Sequence, residues 1–359
     1  MIFCDESGFT GINLVDSVQA SFAYVSNDFS NEEAIYLLKI FDTGQAKKEV
    51  KFSKIKKLND IDIRYEKFFT SSLFNKNRVV ISLYNKEFYL ITKLVDTIIE
   101  PILYRYGYDL YKNRMNLQTA LFLYFVLQNE EHIKREFLNS FNNLIRDQTP
   151  ENLEKFRLLS NSLKNKTNDK ILKDILSVYE NVSSDVILSD ISSDNIYDIV
   201  TTAIYDHINI WGIRRGLYNI DVNSETKLLD LNIDQTKSLN HQSFIKDVEC
   251  MRAKAGDHIN AVGNTEHKYL IPLPISTYRL VNSKDIIQVQ VSDIISGFFC
   301  CVYNNRNNQE HPLVRLYQKL NLEHYPMYPE AYEDTDFETE NKPNLVESVT
   351  DFYIQRKKS

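Results

Sequence analysis

The stretch from Ile2 to Gly8, IFCDESG, decides how the rest of the chain is read. Ile2–Cys4 is a short apolar run. Two acids, Asp5 and Glu6, end it, and Ser7 and Gly8 follow at once. The pattern predicts a strand and then a turn. Charge at the end of a buried strand is costly unless something neutralises it. Working outward, Ser21–Val25 reads as a second strand, paired with the first as a hairpin. Asn31–Phe41 has helical periodicity behind a Ser30 cap. Arg78–Tyr84, RVVISLY, reads as a third strand because β-branched residues stand in a row.

The character of the chain then changes. From about Lys86 to Arg215 the pattern is helical, with Leu, Tyr and Phe at i, i+3, i+4 spacing. DTIIEPILYRYGYDLY holds one Pro and one Gly and predicts a bend. TPENLEKFRLL has Thr149 as a cap, Pro150 at the first helical position and acids in the first turns, which predicts a helix start. Strand signals return at Thr226–Ile233, ending at Asp234. A helix is expected at about Asn240–Ala255, a strand at Ser276–Val281 and a long apolar helix at Asp285–Tyr303. From Asn304 the chain is polar, and EAYEDTDFETENKPN is acidic and reads as loosely ordered. The element order predicts an α/β or α+β sheet protein with a large all-helical insertion. The expected boundaries are 1–85 and 216–305 for two parts of one core, 86–215 for the insertion and 306–359 for the tail.

Composition narrows the setting. The 359 residues carry 25% charged and 43% hydrophobic side chains, enough for one large domain or two smaller ones. A net charge of −7 argues against nonspecific coating of nucleic acid, though a basic groove fits on an acidic body. The four cysteines make no CxxC pair and no zinc spacing, so a reduced, cytoplasmic chain is expected. No signal peptide is read at the N-terminus. The longest apolar stretch, near Ala120–Leu127, is far short of the roughly 20 residues of a membrane span.

Several acids end apolar elements. Asp5 and Glu6 end the first strand, and Asp234 ends LLDLNI. Asp230 shares its strand face and is a rival. Asp293 lies inside IIQVQVSDIISGFF. There Gln290, Asp293, Ser296 and Gly297 share one helix face among apolar neighbours, a strip where a sheet or an ion can come close. Structural roles fit the same residues: Asp293 as a buried acid satisfied by arginine or backbone, Asp234 as an Asx turn. KKEVKFSKIKK is a locally basic segment with Lys47, Lys48, Lys51, Lys54, Lys56 and Lys57 around Glu49. It reads either as a solvated face or as lysines, Lys51 and Lys54 among them, that meet phosphates while Glu49 faces a metal. Carboxylates converging from scattered positions are what Mg²⁺ or Mn²⁺ requires, and two such ions about 4 Å apart can hold a scissile phosphate and activate a water.

These residues carry a resemblance. Asp5-Glu6-Ser7-Gly8 resembles the DESG opening of the bacterial domain of unknown function 3800 family. Glu49-Val50-Lys51 resembles its internal E-[LI]-K element, and QVSDIISG, Gln290 to Gly297, its closing QxADxxAG helix, with Ser292 where the family has Ala. Asp234-Gln235-Thr236 is similar to its strand-end D-x-S element. The family is regarded as similar to the ribonuclease H-like fold. The resemblance implies Asp5, Glu49, Asp234 and Asp293 as ligands of two Mg²⁺ or Mn²⁺ ions, with Glu6, Ser7 and Gln290 as accessory residues. It implies a nuclease acting on DNA or RNA, and members are often linked to mobile elements and anti-phage defence. The alternative is a non-catalytic nucleic-acid- or protein-binding module of a defence system, with the helical block as its partner surface and the acids structural.

Two further groups stand out. Asp257-His258 and Glu266-His267 offer ligand types for a second metal. Trp211, Arg214 and Arg215 read as a helix end capped by Arg and Gly, or as contacts to a nucleic-acid backbone. No P-loop, GxGxxG, GxSxG or HExxH is present.

Overall fold

A computed structural model describes residues 1–9, 14–15, 18–42, 49–111, 114–193, 199–223, 227–235, 248–263 and 268–329. The strands are β1 (Ile2–Ser7), β2 (Ser21–Asn27), β3 (Val79–Asn85), β4 (Ile220–Asp221), β5 (Leu229–Asp234), β6 (His258–Gly263), β7 (Lys268–Ile271), β8 (Ile275–Val281) and β9 (Tyr325–Met327). The helices are α1 (Asn31–Lys39), α2 (Phe52–Ile55), α3 (Ile61–Phe69), α4 (Lys86–Leu94), α5 (Glu100–Arg105), α6 (Met115–Gln128), α7 (Glu131–Arg146), α8 (Pro150–Lys166), α9 (Lys170–Ser177), α10 (Ser184–Ser193), α11 (Ile199–Arg214), α12 (Ile287–Asn304) and α13 (Pro312–Lys319). The class is α/β. The chain forms two compact units, one of residues 1–9, 21–83 and 198–326, the other of residues 10–20, 84–197 and 327–359.

The first unit is built on a mixed six-stranded sheet of order β8-β5-β1-β2-β3-β9. β1 pairs antiparallel with β2 and parallel with β5, which runs parallel to β8. Alternation places a helix on each face. Ser26 of β2 bonds to His207 on α11, while its neighbour Asn27 donates to Ser292 and to the Gln288 carbonyl on α12. Adjacent residues point oppositely, so α11 and α12 cover opposite faces. The register carries this to β1: Cys4 and Glu6 pair with Ser26 and Tyr24 on the α11 face, and Asp5 pairs with Val25 on the α12 face.

Each helix is anchored by polar groups inside an apolar interface. On the α11 side, His207 Nδ1 lies 2.7 Å from Ser26 Oγ and its Nε2 3.0 Å from Ser82 Oγ. Trp211 Nε1 also donates to Ser26 Oγ, at 2.7 Å. Burial pushes the His207 pKa down to about 3, so the ring is neutral. On the α12 side, Ser292, fully buried, accepts from Asn27 and donates to the Phe3 carbonyl at 3.0 Å. Ser292 therefore ties α12 to β1 and β2.

The DESG glycine has a steric reason. Gly8 has φ +82°, and a Cβ there would run into the Ser21 carbonyl and stand 2.6 Å from Cys300 Sγ. Only glycine lets the chain leave β1 this close to β2 and α12.

In the second unit, residues 86–193 are mostly helical. The Asn85 side chain caps α4, Thr149 caps α8 with Pro150 following, and Asp169 caps α9. The expected bend is a π-helical turn at Val95–Ile99, just before Pro101. Proline has no N–H to give and its ring crowds the carbonyl four residues back, so the hydrogen-bond ladder shifts there. Phe137 and Tyr179 both stack on Phe156, and Ser160 bonds to the Tyr179 hydroxyl at 2.7 Å.

Some expectations need correction. The polar stretch after 305 is not all loose tail. PLVRLYQK forms α13 behind a His311 cap, buries Leu313, Val314 and Leu316, and packs on α3 and α12. Its apolar residues have helical spacing, which the surrounding charge conceals. Residues 330–359, including the acidic run, lie outside the described residues, as does the first half of the helix expected at 240–255. The antiparallel β6–β7 pair and helices α2 and α3 carried no expectation. α11 falls in the sheet unit, although its periodicity matches that of the helical block before it.

Candidate metal centre

Four carboxylates meet where strand ends approach α12. A pocket of about 240 Å³ is lined by Asp5, Glu6, Glu49, Val50, Lys51, Asp234, Ser283, Gln290 and Asp293. The topology explains the meeting of Asp5 and Asp234. β1 and β5 run parallel, with Cys4 opposite Ile233, and the two aspartates stand one residue beyond. Asp230 shares their face but lies about 13 Å down the strand, where it accepts from Thr277 at 2.6 Å. Asp234 lines the pocket and Asp230 does not.

Asp293 comes from α12, with Gln290 and Gly297 on the same face. Each docks the segment that carries Glu49. Gln290 Oε1 accepts from Val50 N at 3.0 Å, and its Nε2 donates to the Ser283 carbonyl at 2.7 Å. Phe52 lies against Gly297, where a Cβ would be 2.5 Å from Phe52 Cβ and closer still to its ring. That approach lets Phe52 N donate to Asp293 Oδ2 at 2.7 Å. The polar strip on α12 is thus a docking rail for residues 50–52, and it fixes Glu49 and Lys51 at the pocket.

Ser283, which the sequence reading did not single out, completes the wall. Its N–H donates to Asp234 Oδ1 at 3.0 Å and its hydroxyl to Glu49 Oε1 at 2.8 Å. The available signal was position, two residues past the strand parallel to β5. Ser7 ends β1 opposite Ala23 and is outside the lining. Lys54 is also outside it, its ammonium 3.4 Å from the Glu49 carbonyl.

The electrostatics are those of crowded negative charge. Burial pushes Asp5 well above the usual carboxylate range, and the charges of Glu6, Asp293 and Asp234 push it further. Asp293 rises to about 6, chiefly by burial, against the bond from Phe52 and the Lys51 charge. Asp234 rises by burial as well, against its backbone bonds from Ser283 and Gln235. Glu49 goes the other way. Burial would raise it, but the bonds from Ser283 and Lys51 prevail and hold it low. Lys51 Nζ lies 3.1 Å from Glu49 Oε1. Its own pKa rises because the attraction of Glu49, Asp293 and Asp234 outweighs burial.

The donors suit a hard divalent ion: carboxylates alone, Asp5 buried and Glu49, Asp234 and Asp293 partly exposed. At least one oxygen of each is already engaged: Asp5 Oδ1 by Glu6 N, Asp234 Oδ1 by Ser283 N, Asp293 Oδ2 by Phe52 N, and Glu49 Oε1 by Ser283 and Lys51. Among the described residues, no group of three or more His, Cys, Asp and Glu side chains is arranged to hold a metal ion. For the other sequence candidates, Glu266 and His267 lie outside the described residues. Arg214 donates to the Val79 carbonyl at 2.9 Å, Arg215 pairs with Asp28 at 3.3 Å, and both guanidinium groups lie over Trp211. These arginines close the end of α11. Among the described residues, no helix is long and apolar enough to cross a membrane.

No family model, curated protein or solved structure matches this chain. The family resemblance therefore rests on the motifs alone.

Proposed function

We propose that this chain is a metal-dependent nuclease of the ribonuclease H-like class, hydrolysing phosphodiester bonds in DNA or RNA with two Mg²⁺ or Mn²⁺ ions. One observation carries the reading: Asp5, Glu49, Asp234 and Asp293, spread over nearly 290 positions of sequence, line a single pocket at the ends of parallel strands. Asp5 and Asp234 would hold ions from the sheet, Asp293 from α12 and Glu49 from the segment docked on it. A bound divalent ion supplies Lewis-acid stabilisation of phosphoryl charge and lowers the pKa of water. The chain's own part is to place the carboxylates, through Ser283 and Gln290, and to offer Lys51 and Lys54 at the rim as phosphate contacts. The helical unit would be the partner or substrate surface, and the family's association with anti-phage defence suggests the setting.

A second reading has its own support. The pocket's acids already have backbone, serine and lysine partners, as they would in a binding module that needs no metal.

Incubating purified chain with mixed DNA and RNA in Mn²⁺, beside Asp5→Asn and Asp293→Asn, separates the two. Cleavage lost in both folded variants is the expected result. Cleavage retained in both sinks the assignment. A chain whose stability and nucleic-acid affinity are indifferent to chelator and Mn²⁺ is the binding module.

A further inference from the structure

We propose that the Lys51 ammonium is the resident counter-cation of the acid pocket and that a divalent ion binds by displacing it. The inference deepens the metal-centre reading and rests on it. Among the residues lining the pocket, Lys51 is the one base against five acids. Its Nζ sits 3.1 Å from Glu49 Oε1, the same oxygen that accepts from Ser283. A metal that uses that oxygen meets the ammonium first. The ion and the ammonium compete for one negative site, and two positive centres at contact repel.

The backbone is built for the exchange. Residues 50 and 52 are each bonded to α12, so the main chain at 51 is pinned on both sides. The Lys51 side chain is 41% exposed, while that of Glu49 is 10% exposed. The lysine can swing out on its flexible stem without moving the ligands. Lys54 does not duplicate the role, because it bonds to the Glu49 carbonyl outside the lining.

The test needs no substrate. Mn²⁺ is titrated into the full chain by calorimetry, with free Mn²⁺ followed by electron paramagnetic resonance. Wild type is compared with Lys51→Met, Lys51→Gln and an exposed control, Lys57→Met. Both position-51 variants should bind Mn²⁺ about tenfold more tightly, and the control should match wild type. In EDTA, Lys51→Met should melt lower than wild type, and adding Asp293→Asn should restore the loss. Equal or weaker Mn²⁺ binding by the folded position-51 variants overturns the displacement and leaves the metal centre standing. No binding by any of the proteins overturns both. No loss of stability in EDTA overturns the counter-cation role.

Discussion

The two faces of the central sheet each hold a buried polar cluster, and the two are opposite in kind. On the α11 face, Ser26, His207, Ser82 and Trp211 exchange hydrogen bonds between neutral groups. On the α12 face, the pocket gathers Asp5, Glu49, Asp234 and Asp293, and the Lys51 ammonium pairs with Glu49. A neutral network with its bonds made costs little to bury and fixes a helix in register. A like-charged cluster raises its own pKa values and costs stability wherever its charges are not neutralised. The comparison separates a cluster that holds the structure together from one that is paid for by it.

The largest effect should come from breaking the neutral cluster. His207→Ala removes a ring that joins α11 to two strands and leaves a cavity, so it should cost about 3 kcal/mol or more in denaturant melts. Asp293→Asn should do the opposite in EDTA and stabilise the chain, because it removes a charge that burial opposes. Its gain should reach about 2–3 kcal/mol near neutral pH.

The pH dependence sharpens the contrast. His207 has a folded pKa below its unfolded value, so its stability is full above about 6.5 and is lost as pH falls from there toward 3. Asp293 has a folded pKa above its unfolded value. Its stabilisation is full below about 3.8 and is lost as pH rises through about 6. Between pH 4 and 6 the two slopes oppose each other, each about 1.4 kcal/mol per pH unit. Asp293→Asn should therefore make the chain more acid-sensitive over that window, and melts at stepped pH read the change. An unchanged slope would break the comparison.

Gly297→Ala should cost about 1–3 kcal/mol, since the added methyl drives Phe52 off α12. It should also weaken Mn²⁺ binding by releasing the segment that carries Glu49. Asp230→Asn should be nearly silent, within about 0.5 kcal/mol and without effect on Mn²⁺ affinity. It tests whether the pocket, rather than acidity along β5, is what matters.

Much of this was legible in the sequence, for local reasons. Asp5 and Asp234 stand out because charge ends an apolar strand, and Asp293 because a narrow polar strip crosses an apolar helix. Helix starts at Ser30 and Thr149 follow from side-chain oxygens that cap free N–H groups. Glu49 was legible only as one of two readings, because its environment is a charge run that reads equally as solvated surface, and the motif resemblance favoured the site. Ser283 gave no signal of its own, since its role is set by a neighbour in space.

What the sequence determined by itself is the alternation and periodicity of the elements and the identity of the acids at their ends. These depend on residues a few positions apart, within reach of period and cap. Which acids meet was decided by tertiary structure alone. The parallel pairing of β1 with β5 sets Asp5 beside Asp234 and leaves Asp230 far down the strand. The bare backbone of Gly297 admits Phe52, and with it brings Glu49 and Lys51 to Asp293. Among the described lysines around Glu49, charge patterning could not single out Lys51 as the one that lines the pocket. That choice follows from two backbone bonds to a helix some 240 residues away in sequence.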